Sequence, residues 1–469
     1  SGPQGATPMP PRMPAGIVLG NLAWAAALFA ALFAAPAVAA PRELVLQQDT
    51  FGSVPLLAPL NEPKAFVVYL FDGELNAERR AEAEAIVARG AAVVPLSTQA
   101  IIGQMQAAED PGDDCYYALG EFEDLSTLAQ RALGSASYRW PAILGSGSLS
   151  GTLAYLAIAQ APANTAAGAV SLDLETSLAS HLPLCPGAKG SPGPGGFTYA
   201  PATNIPAPWV LVAPSEPPAE IRAFLDADAG NELRVVAGDA KVRFEAGVEA
   251  ALRMGSPPNV GLDDLPLVEL PAKTRSTSFA IFLSGDGGWR DIDKSIAETL
   301  SQNGMSVVGI DSLRYFWKRK TPDQIAADIE RIIATYEQRW QAQRILLIGF
   351  SQGADVIPPV WNRLSRGTRD KIKLVALMGL EPTAAYEISI AGYLGIGADE
   401  VDIRPDLKTL PHDKVLCFFG SDEKADGDTA CTLPEMTGAT LLERGGGHHL
   451  DGNYEAIAGD ILDRSRAVK

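Results

Sequence analysis

Histidine and cysteine are scarce in this chain, with four of each among 469 residues. No two cysteines form a C-x-x-C pair, so a metal site built from thiolates is not expected. Basic residues are also in the minority, since 38 Lys and Arg stand against 56 Asp and Glu, a formal net charge of −18. This balance argues against nucleic acid as a partner and against a polybasic patch for lipid headgroups. It is compatible with a cationic substrate, but solubility is the preferred explanation of the negative charge.

One long apolar run does occur near the beginning of the chain. Arg12 precedes the apolar stretch 17–35, and small residues follow it. This order predicts a cleavable secretory signal peptide within residues 1–40, with a permanent helical anchor as the alternative. Because the chain starts at Ser1 rather than Met, the residues up to about Pro8 are interpreted as a cloning remnant or upstream translation. The periplasm is the location expected for the mature protein.

Export also determines how the cysteines are interpreted. An oxidising compartment favours disulfides, and two cysteines fall in each half of the chain. The sequence therefore predicts pairing within the halves, Cys115 with Cys185 and Cys417 with Cys431.

The second half alternates apolar strands with amphipathic helices. Strands are predicted at 278–284, 305–310, 373–378 and 415–419, and Thr321-Pro322-Asp323-Gln324 has the composition of a helix start. Such alternation predicts a parallel sheet covered by helices on both faces.

The first half repeats the same order of elements. Residues 67–73 match 281–287, and residues 93–97 match 307–311 at the same displacement. Farther on, 147–151 stands opposite 349–353, which sets Leu149 against Ser351. We interpret this as an internal duplication. The alternative is that two unrelated α/β domains share a similar periodicity.

The predicted fold class is therefore α/β, with two tandem α/β-hydrolase-like domains, the first degenerate and the second catalytic. The first domain is predicted over residues 41–255, the linker over 256–275 and the second domain over 276–469. A Gly- and Pro-rich surface loop is expected at 186–208.

The strongest chemical signal is Gly349-Phe350-Ser351-Gln352-Gly353, preceded by the apolar run 345–348. A strand, a Gly-x-Ser-x-Gly segment and a helix form a nucleophile elbow, in which a strained turn exposes the serine hydroxyl. Ser351 is the predicted nucleophile.

A serine nucleophile needs a base and an acid, which follow it in chain order in α/β hydrolases. His448 and His449, in the glycine-rich loop after the strand at 440–442, are the two candidates for the base, and His449 is preferred. The acid is expected after the strand at 415–419, with Glu423 first, Asp422 second and Asp426 third.

The oxyanion hole is expected to use the N–H of Gln352 and an N–H from the loop at Asp286, Gly287 and Gly288. Asp286 is also assigned to binding a cationic group of the substrate, or to capping the following helix. Trp289, Arg314 and Tyr315 are also predicted to bind substrate. The segment 311–317, which contains Arg314 and Tyr315, is expected to border the site. The alternative for this segment is a loop packed over the edge of the sheet.

Taken together, four segments make the chain resemble the bacterial AcvB/VirJ virulence protein family: 285–289, 311–317, 349–355 and 446–452. The family is periplasmic and is similar to serine α/β hydrolases. The resemblance implies hydrolysis of aminoacylated phosphatidylglycerol with release of lysine or alanine, Ser351 as nucleophile and His449 as base.

The resemblance implies no metal and no organic cofactor, and it implies a peripheral contact with the aminoacylated phospholipid of the inner membrane. Two alternatives are a broader periplasmic esterase or thioesterase, and a non-catalytic adaptor or chaperone for a type IV secretion system whose first domain binds secretion proteins.

Overall fold

The computed structural model describes residues 41–467, apart from 110–111, 163, 186, 188, 255–261, 263–264, 275 and 389–399. The predicted signal peptide lies outside the described residues, as does much of the predicted linker. From Pro41 onward the chain forms one compact unit. No helix within the described ranges is both long enough and apolar enough to cross a membrane.

Twenty strands are described in this part of the chain. In chain order they are β1 Arg42–Gln48, β2 Gly52–Ala58, β3 Ala65–Phe71, β4 Ala91–Ser97, β5 Ala142–Ser146, β6 Gly168–Ser171, β7 Ser177–Leu178, β8 Gly190–Gly193, β9 Gly196–Tyr199, β10 Trp209–Ala213, β11 Asn231–Val235, β12 Leu267–Leu270, β13 Ser278–Leu283, β14 Ser306–Ile310, β15 Arg344–Phe350, β16 Ile372–Met378, β17 Thr383–Ala384, β18 Val401–Asp402, β19 Val415–Gly420 and β20 Thr440–Arg444.

The two large sheets have the same strand order. The first runs β1-β2-β4-β3-β5-β6-β10-β11 and the second β12-β14-β13-β15-β16-β19-β20. In each sheet the outermost parallel strand, β4 or β14, pairs with an antiparallel strand, β2 or β12 respectively. The second sheet differs by having no counterpart of β1 among its described strands. This repeated order confirms the predicted fold class of two tandem α/β-hydrolase-like sheets.

Helices connect the parallel strands in both halves. In the first half they span Ala77–Ala88, Thr98–Ala107, Ala118–Leu133, Ser148–Ala159, Ala219–Asp226 and Ala240–Met254. In the second half the α-helices span Asp291–Gln302, Ser312–Tyr315, Pro322–Trp340, Gln352–Asp355, Ile357–Trp361, Arg366–Lys371, Arg404–Leu407, Ser421–Asp426 and Tyr454–Ala467, with 3₁₀ turns at His412–Lys414 and Pro434–Met436.

The helix that precedes β15 begins where its sequence predicts. The Oγ1 atom of Thr321 accepts a hydrogen bond from the N–H of Gln324, and the Gln324 side chain accepts one from the N–H of Thr321. Pro322 follows the cap at the first helical position, where a missing N–H leaves no bond unmade. This capping box fixes the start of the long helix that covers the sheet.

Two segments expected to be irregular contain strands instead. The Gly- and Pro-rich segment 186–208 includes the β8–β9 hairpin, which β7 extends into a small three-stranded sheet. The predicted linker includes β12, which pairs antiparallel with β14. The three strands β8, β9 and β12 have only four residues each, and so short a segment rich in Gly or Pro shows no clear alternation of polar and apolar residues in the sequence.

One hydrophobic cluster contains residues of both halves, and Trp317 of the second half is buried within it. Its ring packs against Tyr138 with centroids 5.1 Å apart, and the Arg131 guanidinium lies 3.9 Å from the ring centroid. The indole N–H donates to the carbonyl of Ser135 at 2.9 Å. Since Arg131, Ser135 and Tyr138 belong to the first half, these contacts make the segment 312–317 part of the junction between the halves.

Both predicted disulfides are present. Cys115 is bonded to Cys185 and Cys417 to Cys431, and the described residues include no free cysteine. The second bond joins β19 to the segment after the Ser421–Asp426 helix. Two disulfides fit an extracytoplasmic protein.

Replacing both Cys417 and Cys431 by Ala is expected to lower the free energy of unfolding by about 3 kcal/mol, because the bond closes a loop of 14 residues in the unfolded chain. Urea denaturation of the oxidised proteins measures the difference. Full reduction of both proteins is the control, since it should bring their transitions together. Equal stability of the two oxidised proteins would contradict the expectation.

Candidate active site

Ser351 lies in a strained turn between β15 and the Gln352–Asp355 helix. Its backbone has φ 51° and ψ −128°, a conformation that non-glycine residues rarely adopt. A Cβ atom at Gly349 would collide with the backbone of Gly353, and one at Gly353 would collide with the carbonyls of Leu283 and Ser284. Only glycine fits at these two positions, so the turn has the geometry of a nucleophile elbow.

His448 is the imidazole next to Ser351. Its Nε2 atom lies 2.9 Å from Ser351 Oγ, and its ring packs 5.5 Å from that of Phe350. Gly379 leaves room for the ring, since a Cβ atom there would come within 2.9 Å of His448 Cε1. The hydroxyl proton of Ser351 therefore has an acceptor in place.

The preference for His449 as the base is wrong. His449 is exposed, and its ring lies almost perpendicular to that of His448, with centroids 6.2 Å apart. A tight turn in which Leu450 N–H donates to Gly447 O separates the two side chains and buries Leu450. The apolar neighbour thus directs His448, rather than His449, toward the serine.

Glu423 holds the other side of the imidazole. Its Oε1 atom lies 2.8 Å from His448 Nδ1, and its Oε2 atom accepts a hydrogen bond of 2.7 Å from the N–H of Gly420. The side chain is almost fully buried, whereas Asp422 and Asp426 are exposed. The first choice of acid from the sequence is therefore the carboxylate that meets the histidine.

The same contacts shift both pKa values. The hydrogen bond to Glu423 raises the pKa of His448 against the opposing effect of burial, with smaller contributions from Glu381 and Asp286. Burial by itself would raise the pKa of Glu423, but the hydrogen bonds from His448 and Gly420 outweigh it and lower the pKa. A base of this kind is neutral, and able to accept the serine proton, only above its raised pKa.

Of the two N–H groups needed to bind an oxyanion, one is assigned to Gln352 and the other to the loop after β13. Gln352 is the first residue of its helix, so its N–H has no partner within that helix. In the loop after β13, the N–H of Gly288 already donates to Gly285 O at 3.1 Å. Asp286 and Gly287 therefore remain the candidates from that loop, while the exposed Asp286 carboxylate lies close enough to influence His448.

Three residues predicted to bind substrate have contacts elsewhere. Trp289 is buried against Phe282, and Tyr315 is buried with its hydroxyl donating to Asp328 Oδ2 at 2.7 Å. Arg314 lies over the ring of Trp140, in the first half. The short helix Ser312–Tyr315 turns this segment toward the junction between the halves, so the packed-loop alternative is correct.

A cavity of about 510 Å³ opens beside His448. Apart from the histidine, every charged residue among the described ones that line it is acidic: Glu381, Glu400, Asp422, Glu423, Asp426 and Asp428. Lys424, in the same loop, is paired instead with Glu443. Sequence reasoning missed Glu381, Glu400 and Asp428 because they come from separate loops, and only the overall negative charge hinted at them.

The corresponding turn of the first half has no nucleophile. The residue between β5 and the Ser148–Ala159 helix is Gly147, so Gly147 rather than Leu149 occupies the position of Ser351. The Asp72 carboxylate lies against this glycine and accepts hydrogen bonds from the N–H groups of Leu149 and Ser150, at 3.3 and 2.8 Å. Because a Cβ atom at Gly147 would lie 2.3 Å from Asp72 Oδ2, the carboxylate lies where the side chain of a nucleophile would project from this turn.

Replacing Glu423 with Gln tests the proton-accepting arrangement. The substitution removes the main cause of the raised His448 pKa, so the acidic limb of the pH profile for fluorophosphonate labelling of Ser351 should move to lower pH. The plateau rate should fall roughly 10²-fold or more, because the imidazolium loses its carboxylate. Asp422→Asn is the control, and an identical profile for Glu423→Gln and wild type would refute the assignment.

Several solved structures are similar to part of this chain. Solved structures of similar fold include MenH from S. aureus (14% identity, 43% of this chain and 98% of that chain, TM-score 0.33) and a dienelactone hydrolase from Anabaena variabilis (15%, 45% and 95%, TM-score 0.32). Est1E from Butyrivibrio proteoclasticus is a third, at 14% identity, 43% and 94% coverage and TM-score 0.31. No curated protein matches the chain.

The model of one protein family, bacterial virulence protein VirJ, matches residues 277–469. This region contains Ser351, Glu423 and His448 together with the whole parallel part of the second sheet. The second half of the chain is therefore similar to the VirJ family over these residues.

Proposed function

We propose that the chain is a periplasmic serine hydrolase that cleaves the aminoacyl ester of lysyl- or alanyl-phosphatidylglycerol. The observation that carries this proposal is the unbroken chain of hydrogen bonds from Ser351 through His448 to Glu423. The arrangement has the parts needed for acyl transfer: a nucleophile, a base and a carboxylate that orients the base.

In the acylation step, Ser351 Oγ attacks the ester carbonyl carbon while His448 Nε2 takes the hydroxyl proton. Glu423 stabilises the imidazolium that forms. The negatively charged carbonyl oxygen is held by the N–H of Gln352 and by an N–H of the loop after β13. Collapse of this intermediate expels the glycerol oxygen of phosphatidylglycerol, which receives the proton from His448.

The second step regenerates the serine. Water enters beside the aminoacyl-enzyme, His448 takes one of its protons, and the resulting hydroxide attacks the acyl carbon. The bond to Ser351 Oγ then breaks, the serine regains its proton from His448, and the free amino acid leaves. No oxidant, reductant or organic cofactor takes part in either step.

The acidic cavity supports an aminoacyl group as the acyl part of the substrate. A lysyl ester carries two ammonium groups and an alanyl ester one, and carboxylates next to the reacting carbonyl stabilise such cations. Five exposed acids surround the cavity, Glu381, Glu400, Asp422, Asp426 and Asp428, and its described lining includes no Lys or Arg. The resemblance to the AcvB/VirJ family supports phosphatidylglycerol as the lipid that carries the aminoacyl group. It also supports a peripheral contact of the protein with the inner membrane.

Purified protein is expected to release free lysine from vesicles that contain lysyl-phosphatidylglycerol, and Ser351→Ala and His448→Ala should each lose at least roughly 10³-fold of this activity. His449→Ala is the matched control and should retain activity within a few-fold. Amino acid analysis of the released lysine gives the rate.

Other outcomes would identify the two alternatives. Turnover of short acyl esters without release of an amino acid from the lipid would show a broader esterase or thioesterase. Full complementation of a gene deletion by Ser351→Ala, in cells whose membrane lipids are unchanged by the deletion, would show an adaptor for secretion proteins.

Neutralising the cavity tests the recognition of the cation. Glu400→Gln combined with Asp428→Asn should raise the KM for lysyl-phosphatidylglycerol roughly 10-fold and leave turnover of neutral p-nitrophenyl acetate unchanged. Glu216→Gln combined with Glu220→Gln, in the equivalent cavity of the first half, is the control. An equal effect on both substrates, or none on either, would count against binding of the ammonium groups in this cavity.

A further inference from the structure

The loop after β13, residues 285–290, is held from its outer side by an arginine. Arg290 is the residue before the Asp291–Gln302 helix, makes no side-chain capping hydrogen bond to it, and folds its side chain back over the loop. A Cβ atom at Gly287 would lie 2.5 Å from Arg290 Nη2 and 2.9 Å from Nε, so the guanidinium rests directly on this glycine. The position of Arg290 therefore limits where the backbone of Gly287 can lie.

The first half of the chain fixes that arginine. Arg290 Nη1 donates to Glu123 Oε2 at 2.7 Å, and the Glu123 side chain, in the helix Ala118–Leu133, is 12% exposed. Glu123 is largely removed from water, so loss of its partner would leave a buried charge unpaired. Displacement of Arg290 is therefore opposed by the first half.

A second contact reaches the same loop. Asn164 Nδ2 donates to the carbonyl of Trp289 at 3.0 Å, and Asn164 also belongs to the first half. Together with the ion pair between Arg290 and Glu123, this contact gives the first half two points of attachment to the loop.

These contacts matter because a donor to the oxyanion must be placed accurately. Loss of one such donor reduces the rate roughly 10²–10³-fold. A shift of about 1 Å in a group that positions the reaction can cost 10²-fold. The first half has glycine in place of a nucleophile. Even so, its helix Ala118–Leu133 reaches the loop on which the active site of the second half depends.

We propose that the first half acts as a clamp on the oxyanion loop, residues 285–290, and that Glu123 is a positioning residue for hydrolysis at Ser351. Glu123 acts through Arg290 on Gly287, and Asn164 acts on Trp289. This inference rests on the proposed function of the second half, and it assigns the nucleophile-free half a direct part in that function.

Glu123→Gln in the full chain should lower kcat for lysine release 10- to 100-fold with little change in KM, because the oxyanion exists only in the transition state. Asn164→Gly should have a smaller effect in the same direction, and glycine suits this position because Asn164 has φ 67°. Amide hydrogen exchange within residues 284–291 should be faster in both variants.

Glu121→Gln is the matched control, because Glu121 lies on the same helix but contacts Gln48. Arg290→Gln provides the test of coupling: combined with Glu123→Gln, it should lose little more activity than the more damaging single substitution. Fully additive losses would overturn the link from Glu123 through Arg290.

Hydrogen exchange also separates this inference from the proposed function. Unchanged exchange in the loop, or faster exchange with unchanged kcat, overturns the clamp. Absence of lysine release by the wild-type protein overturns the proposed function instead. In that case loop exchange and the rate of fluorophosphonate labelling, compared between Glu123→Gln and Glu121→Gln, still decide whether the first half positions the loop.

Discussion

The backbone conformation at Ser351 is the constraint on which the candidate site depends. A non-glycine residue with φ 51° is stable only where the surroundings enforce it, and here two close backbone approaches do so. The turn places the hydroxyl beyond the end of β15, opposite the loops that follow β19 and β20. His448 and Glu423 reach it because parallel strands bring the ends of all three segments to one edge of the sheet.

The elements that the sequence predicted well are those with strong local signals. The Gly-x-Ser-x-Gly turn, the helix start at Thr321 and the apolar strands each depend on neighbouring residues, and the structure has them where they were expected. Glu423 was also preferred over Asp422, because its distance from Gly420 suited the role. The cysteine pairings followed from having one pair in each half.

The errors arose where the outcome depends on packing between distant segments. From the sequence alone, either of the adjacent residues His448 and His449 could be the base. The turn that buries Leu450 determines which of the two rings faces Ser351. Trp289 and Tyr315 resembled substrate-binding aromatics, but both side chains are buried within the second half, Trp289 against Phe282 and Tyr315 beside Asp328. The prediction that Leu149 corresponds to Ser351 was also wrong. The helix Ser148–Ala159 begins before Leu149, so the residue at the turn is Gly147.

Asp72 has a consequence for any attempt to install a nucleophile in the first half. By binding the helix N–H groups, its carboxylate stabilises the first half through a charge-assisted capping interaction. A serine introduced at Gly147 would bring its Cβ atom against that carboxylate, so the single substitution would have to displace the capping group. Engineering a second nucleophile elbow in this chain would therefore require a change at Asp72 as well.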